Sequence, residues 1–478
     1  MKFVRNGAAA AAVLMLAGIA GAQVRPVTVI AIDNQPLPGS GGDVVSVLNA
    51  PFTDGNGKVG FVGTLTTGTG TDVFVYYDNQ VVWRNSQALP GSVLTGGEST
   101  MGVGNAGQFI YSPSDDGQDS VWTHLGALAV AGDPIPSSAL FWSFASRPHM
   151  IPDGTAYFVA GERTTAGGTT SNRALYRASF PGPVFTRLIG GGDVVDGFTV
   201  STGASDFAYW VSDNGQHVIR EVTTTAVSTA NVHIYVNGTF PMLEGSPVPG
   251  GLAGENWQNF AAVSINNSGD YVVGGDTSAA TTVDGFVAWN GRIKVREGDV
   301  VDGFALVTGV NALSINNRGQ VAHTWGSGAT ETLYYGYGPL LRSRSRVLLR
   351  QGDTVDVDND TVGDYTVADL EASGAIGPGI DLSNQPNVYL EVELTPVGGG
   401  TTVEAIIRID LPAGLRCPFD WDMNGSLQPA DIALFVSDWA ADVTGGTQLS
   451  DIDGNDVVTP ADVATMVSGW FNALANGC

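Results

Sequence analysis

One seven-residue phrase, Gly-Asp-Val-Val-Asp-Gly-Phe, occurs verbatim at residues 192–198 and again at 298–304. Looser copies run along the chain, from Asn34-Gln35-Pro36-Leu37-Pro38-Gly39 to Gly352-Asp353-Thr354-Val355-Asp356. The apolar markers within them are Leu37, Leu89, Ile135, Val195, Val248, Val301 and Val355, at steps of 52, 46, 60, 53, 53 and 54 residues. A second phrase lies between the first ones. It reads Asn105-Ala106-Gly107-Gln108, Asp213-Asn214-Gly215-Gln216, Asn266-Asn267-Ser268-Gly269 and Asn316-Asn317-Arg318-Gly319-Gln320, with weaker copies at Asp54-Gly55-Asn56-Gly57 and Pro152-Asp153-Gly154. Asn, Asp and Gly recur there because a tight turn needs residues that tolerate positive φ. Short apolar strands such as Tyr271-Val272-Val273 and His233-Ile234-Tyr235-Val236 follow the turns.

Each unit therefore holds about four short strands in some fifty residues, the size of a propeller blade. Such a unit cannot cover both of its faces alone, so a ring of stacked units is the natural solution. Only 14% of residues are charged and 65 are glycine, which fits a mainly β chain rich in turns. The sequence predicts a β-propeller over residues 23–412, seven blades preferred and six or eight as alternatives; β-sandwiches in series are the rival architecture. Val27–Ile32 is expected to complete the last blade beside Val403–Ile409. The turn phrases of 25–410 resemble a group of exported bacterial tandem-repeat proteins with an Asn-x-x-Gly turn per unit. That resemblance implies a propeller-like fold and no reaction.

Asp133, Asp193, Asp299 and Asp353 hold equivalent places in successive units. A catalytic group is needed once or twice per site, so a recurring Asp reads as a cap for backbone N–H groups at a turn. The other reading is a ring of carboxylates at one mouth of the propeller, receiving a cation or a glycan. The chain has no G-x-S-x-G, H-E-x-x-H or P-loop motif. Its five histidines (His124, His149, His217, His233, His323) are dispersed and read as structural. A glycosidase needs only two carboxylates brought together by the fold, and the sequence singles out no pair.

Residues 1–22 read as a cleavable export signal: Lys2 and Arg5, the apolar run Ala8 to Ala20, then Ala20-Gly21-Ala22. The mature chain is thus expected outside the cell, secreted or on the surface, with no transmembrane segment. A formal net charge of −26 excludes nucleic acid as a partner. The two cysteines, Cys417 and Cys478, are most simply a disulfide in an exported protein; the rival reading keeps Cys478 free for covalent anchoring.

The last part, 413–478, carries the strongest chemical signal. Asp420-Trp421-Asp422-Met423-Asn424-Gly425-Ser426-Leu427-Gln428-Pro429-Ala430-Asp431 is a twelve-residue loop with oxygen-bearing side chains at places 1, 3, 5, 9 and 12 and Gly at 6. Thirty-one residues on, Asp451-Ile452-Asp453-Gly454-Asn455-Asp456-Val457-Val458-Thr459-Pro460-Ala461-Asp462 repeats the plan. Calcium takes six to eight hard oxygen ligands, and such loops fold them about one point. Two calcium ions are expected. Asp420, Asp422, Asn424 and Asp431, then Asp451, Asp453, Asn455 and Asp462, supply side chains. The carbonyls of Ser426 and Val457 serve at place 7, and Gln428 and Thr459 contribute directly or through water. Asp456 stands where Gly is wanted, so the second site is expected to be the weaker. A helix should follow each loop, with Ile432, Phe435, Val436 and Trp439 on one apolar stripe and Val463, Met466, Val467 and Trp470 on the other.

This duplicated EF-hand-like loop-helix plan resembles a type I dockerin, and the final Gly477-Cys478 resembles the GC-type module of some exported planctomycete-like proteins. The resemblance implies calcium-dependent protein–protein interaction with a cohesin-like or other cell-surface protein. Both copies read Pro-Ala at places 10 and 11, which departs from the usual polar pair and puts an ordinary cohesin in doubt. Three readings follow: a secreted non-catalytic repeat protein held by its dockerin-like tail, a carbohydrate-active enzyme of polysaccharide degradation carried by that tail, or a structural envelope protein.

Overall fold

The computed structural model describes residues 24–68, 70–86, 94–95, 100–115, 118–203, 208–370 and 379–478. The leader predicted over 1–22 and the repeat marker Leu89 lie outside the described residues.

The chain is mainly β with a propeller arrangement. Six blades are each cut from one unbroken stretch of chain. Their first and last strands are Val44–Leu48 and Gln80–Arg84, Met101–Val103 and Gly126–Val130, Phe141–Met150 and Val184–Gly190, Tyr209–Val211 and Thr239–Leu243, Trp257–Ile265 and Arg292–Arg296, and Val310–Ile315 and Arg346–Arg350. The remaining large sheet mixes both ends of the chain. Thr28–Ile32 pairs antiparallel with Val403–Asp410, with Val29 opposite Ile407 and Ile32 opposite Ala405, as the sequence expects. Beyond it come Asn387–Pro396 and Ile380–Leu382, and this sheet closes the ring.

Burial explains the closure. Interior strands such as Ala156–Arg163 and Gln320–Trp325 are buried along nearly their whole length, so both faces of a sheet need a neighbour. Between the fifth and sixth sheets, Val287 and Trp289 pack with Leu313, Trp325 and Tyr334. Between the second and third, Ile110 and Val121 meet Trp142 and Phe158, and the Trp142 ring stands edge-on to Tyr176 at 4.8 Å.

The repeated phrases have local causes. In both verbatim copies the Asp-Gly pair is left-handed (Asp196 φ 48, Gly197 φ 84; Asp302 φ 51, Gly303 φ 84). That geometry closes two equivalent hairpins, Val194–Val195 on Phe198–Thr199 and Val300–Val301 on Phe304–Ala305. The Asp then fastens each hairpin to the outermost strand of the next sheet: Phe240 N donates to Asp196 Oδ2 at 2.7 Å and Val347 N to Asp302 Oδ2 at 3.0 Å. The repeated Asp193, Asp299 and Asp353 accept from the N–H groups of Gly190, Arg296 and Arg350 at 2.8, 3.0 and 3.1 Å. They cap turns where the outermost strands end, away from the axis.

The Asn-x-x-Gly turns do more than reverse the chain. Asn316 Oδ1 accepts from Arg318 N (3.0 Å) and Gln320 N (3.1 Å), and Asn266 and Asp54 repeat the pattern. The next residue reaches the neighbouring sheet: Asn214 N donates to Asn267 Oδ1, Asn267 N to Asn317 Oδ1 and Asn317 N to Asn384 Oδ1, each at 2.8 Å. Asn384 N then donates to Gly55 O at 3.0 Å, across the closing sheet to the first blade.

Leu313 is fully buried in the fifth–sixth interface. Leu313→Ala is expected to cost about 2–5 kcal/mol, the range for truncating a packed leucine. An unfolding free energy, read from denaturant titration, lowered by less than about 1 kcal/mol would mean that these two sheets do not share a packed core.

Candidate metal centres and the axial cavity

After Asp410 the chain leaves the closing sheet and forms two helices, α2 (Pro429–Gly445) and α3 (Pro460–Asn476), the only other α-helix among the described residues being the single turn α1 (Leu341–Arg344). Pro at the first helical position starts each helix, and the place-12 aspartates seal them: Gln428 N donates to Asp431 Oδ2 at 2.7 Å, and Thr459 N to Asp462 Oδ2 at 2.8 Å. Phe435, Met466 and Trp470 are buried between the helices, with Ile432, Trp439 and Val463 packed against them. Val436 departs from its predicted stripe and is exposed. It lies on the flank of the stripe, while Ile432, Phe435 and Trp439 on either side of it in sequence pack into the core. Cys417 and Cys478 form a disulfide. Closing a loop of that length stabilises by about 4 kcal/mol on chain-entropy grounds.

Each loop gathers its acids. Asp420, Asp422 and Asp431 bring carboxylate oxygens within 4.8 Å of one another, as do Asp451, Asp453 and Asp462. The outer members are exposed, whereas Asp420, Asp431, Asp451 and Asp462 are at most 2% exposed. Backbone donors shape both loops alike. Asn424 N and Gly425 N donate to Asp420 at 3.2 and 2.7 Å, and Asn455 N and Asp456 N donate to Asp451 at 3.1 and 2.9 Å. Gly425 (φ 88) and Asp456 (φ 68) are both left-handed, so aspartate takes the conformation that place 6 demands. Asn424 and Asn455 sit beside the cluster, each amide donating to the place-3 carboxylate at 2.8 and 3.0 Å. Ser426, Gln428 and Val457 are exposed on the loop exits, and Thr459 Oγ1 caps α3.

The donor set fits a hard divalent cation. Burial, and then the neighbouring Asp431 charge, raise the Asp420 carboxyl above its ordinary range; burial raises Asp453 likewise. Three crowded, partly buried carboxylates per loop repel one another unless a cation lies among them.

A third acidic group was not anticipated from the sequence. Asp356, Asp358 and Asp364 converge in the loop after the strand Thr354–Asp356. Thr361 N donates to Asp356 Oδ2 at 2.8 Å and Val357 N to Asp364 Oδ2 at 2.8 Å. The signal was the alternation Asp356-x-Asp358-x-Asp360, overlooked because Asp356 also ends a repeat phrase.

The propeller axis holds a cavity of about 20 Å³, lined by residues that include Thr53, His149, Trp210, Asp213, Asn317 and Asp381. That is the room of one water molecule. Its acids are not the repeated ones. Asp213 Oδ2 accepts from the side-chain amides of Asn317 and Asn384, each at 2.8 Å, and Asp381 Oδ2 accepts from Thr53 N at 2.6 Å. Burial pushes Asp381 up to about 7 and lowers His149 to about 4 and His323 to about 3. His323 Nδ1 accepts the Trp325 indole N–H at 2.8 Å, a packing role.

No known protein family and no curated protein matches the chain. Solved structures with some likeness are prolyl oligopeptidase B from Galerina marginata as apo protein (10% identity, TM-score 0.37, covering 74% of this chain and 47% of that one) and its D661A mutant bound to a 25mer macrocyclization substrate (11%, 0.36, 73% and 47%). The chain spans about half the length of those proteins, and at these scores the likeness carries no functional argument. No described helix is long and apolar enough to cross a membrane.

Asp381 keeps its proton in the folded chain up to about pH 7, whereas unfolded it releases it near 3.8. Its contribution to stability is therefore fully present below about pH 4 and lost as pH rises toward about 7. Asp381→Asn, which keeps the acceptor for Thr53 N, should flatten that slope and melt above the wild type at about pH 8. Parallel slopes in thermal melts across this window would remove Asp381 as the cause.

Proposed function

We propose that the chain is an exported, non-catalytic repeat protein, secreted or held at the cell surface through a calcium-dependent, dockerin-like module at residues 413–478. In this reading residues 1–22 are the export signal. The closing sheet, built from both ends of the repeat region, counts as a seventh blade. The module takes two calcium ions and engages a cohesin-like or other cell-surface protein.

The observation that carries the reading is the pair of loops that each draw three carboxylates within 4.8 Å. Asp420, Asp422, Asn424 and Asp431 would hold one ion, with the Ser426 carbonyl and Gln428. Asp451, Asp453, Asn455 and Asp462 would hold the other, with the Val457 carbonyl and Thr459. Calcium supplies charge compensation and cross-links each loop to the helix that its place-12 Asp caps. For a module with one small core, that compensation and the Cys417–Cys478 bond are the expected supports.

Calcium at about a hundred times its Kd should stabilise the module by about 2.7 kcal/mol per site, and chelator should reverse this. Differential scanning calorimetry of the chain with calcium or EGTA reads the effect. Asp420→Ala should abolish the first loop's share of it. Unchanged transitions at millimolar calcium, together with no binding heat, would end the calcium reading and with it the docking function.

A further inference from the structure

The two loops are near-copies in sequence but not in surroundings. The module lies against the propeller, and the second loop faces Arg292–Arg296, the outermost strand of the fifth blade. That strand carries Arg292, Lys294 and Arg296 at alternate positions, in a chain with only 21 Lys and Arg. Arg296 serves the propeller, pairing with Glu255 at 2.8 Å. The other two serve the module. Arg292 Nη1 meets Asp456 Oδ2 at 2.6 Å. Lys294 Nζ meets Asp456 Oδ1 at 2.7 Å, the Gly454 carbonyl at 2.9 Å and Asp451 Oδ2 at 3.4 Å.

Among the described residues, no Lys or Arg side chain forms a hydrogen bond or ion pair with the first loop's carboxylates. Its neighbour Arg344 donates to the carbonyls of Trp421 (2.6 Å) and Asp420 (2.9 Å) and lies over the Trp421 ring at 4.1 Å. The Asp420 carboxylate receives only the loop's own N–H groups among its described hydrogen bonds. Asp451 receives the equivalent N–H groups and Lys294 as well.

We propose that Lys294 is the resident cation of the second loop, an affinity-determining residue supplied by the propeller that competes with calcium for Asp451. The proposal rests on the calcium reading of the module and adds what distinguishes its two sites. An ammonium and a divalent ion that share one carboxylate repel each other. Lys294 is only 6% exposed, so salt and water screen that repulsion little. Asp456 is the anchor that holds the lysine there, which accounts for an acid at place 6. A cavity of about 350 Å³ opens along the same seam, lined in part by Lys294, Arg342, Gln448, Asp451 and Asp456. It gives a hydrated ion a route in and the lysine room to withdraw.

Calorimetric titration of the full chain with calcium chloride, in an Asp420→Ala background that silences the first loop, reads the second loop alone. Lys294→Gln in that background should tighten calcium binding by about tenfold or more, and Lys294→Arg should leave it weak. Equal or weaker binding in Lys294→Gln would overturn the proposal and make the lysine a support of the loop. Absence of calcium heat even with Asp420 intact would instead remove the underlying calcium reading. Should Lys294→Gln fail to fold, amine methylation of the wild type decides. Lys294 should be protected without calcium and labelled once calcium saturates both loops; protection at saturation counts against the competition.

Discussion

A four-stranded sheet whose interior strands are apolar on both faces cannot stand alone, and every larger feature of this protein follows from that constraint. Stacking sheets side by side leaves two open faces at the ends of the array. The chain removes them by bending into a ring and bringing Thr28–Ile32 to Val403–Asp410. Closure also fixes where the chain leaves the ring. The segment after Asp410 emerges beside the sixth blade, where Gln320 Nε2 holds the Arg416 carbonyl at 2.7 Å and Leu340 enters the module's core. The C-terminal module is therefore delivered against a prepared surface.

Much of this was legible in the sequence because short-range rules govern it. Asp-Gly at a hairpin tip, an Asn whose side chain caps its own turn, and apolar residues at helical spacing act within a few residues. Asp196-Gly197, Asn316 and Phe435 accordingly sit where their local chemistry puts them. What the sequence concealed depends on residues from distant segments. Asn317 looks like a turn residue, yet its backbone and amide tie the sixth blade to Asn384 and to Asp213. Asp381 carries no motif, and its burial comes from strands at opposite ends of the chain. Val436 fits a stripe on paper, but it sits on the flank that the module core leaves exposed. Asp456 read as a defect at place 6 because the cations that explain it lie more than 150 residues earlier.

The charge balance shows the same division. With 47 acidic and 21 basic residues, few cations are available to offset buried acids. Two of them offset acids within single blades, and a third reaches the module. Arg187 binds Glu162 at 2.8 Å and Asp193 at 2.6 Å where a blade ends, Arg296 binds buried Glu255, and Arg344 stacks on Trp421 where the module meets α1. An exposed ion pair contributes little, but a pair with one member buried strongly disfavours separation, because separation strands a charge. In a chain this acidic, scarce cations thus fasten strands and turns within blades and, at Arg344, the module to the propeller.

That logic bears on the tail. Internal duplication gives two loops the same backbone bonds and the same acids at places 1, 3 and 12, with Asp456 in place of glycine as the second loop's own departure. The propeller adds to that difference by offering carbonyl-seeking Arg344 to one loop and carboxylate-seeking Lys294 to the other. A guanidinium that grips main-chain oxygens acts on Asp420 and Asp431 through its field and leaves their oxygens without a direct side-chain cation among the described residues. An ammonium on Asp451 and Asp456 offsets charge in the second cage and binds it to the blade at the same time. The departure from glycine at place 6 is then a single-residue change with two consequences, one for the cage and one for the seam, and neither can be read without the other.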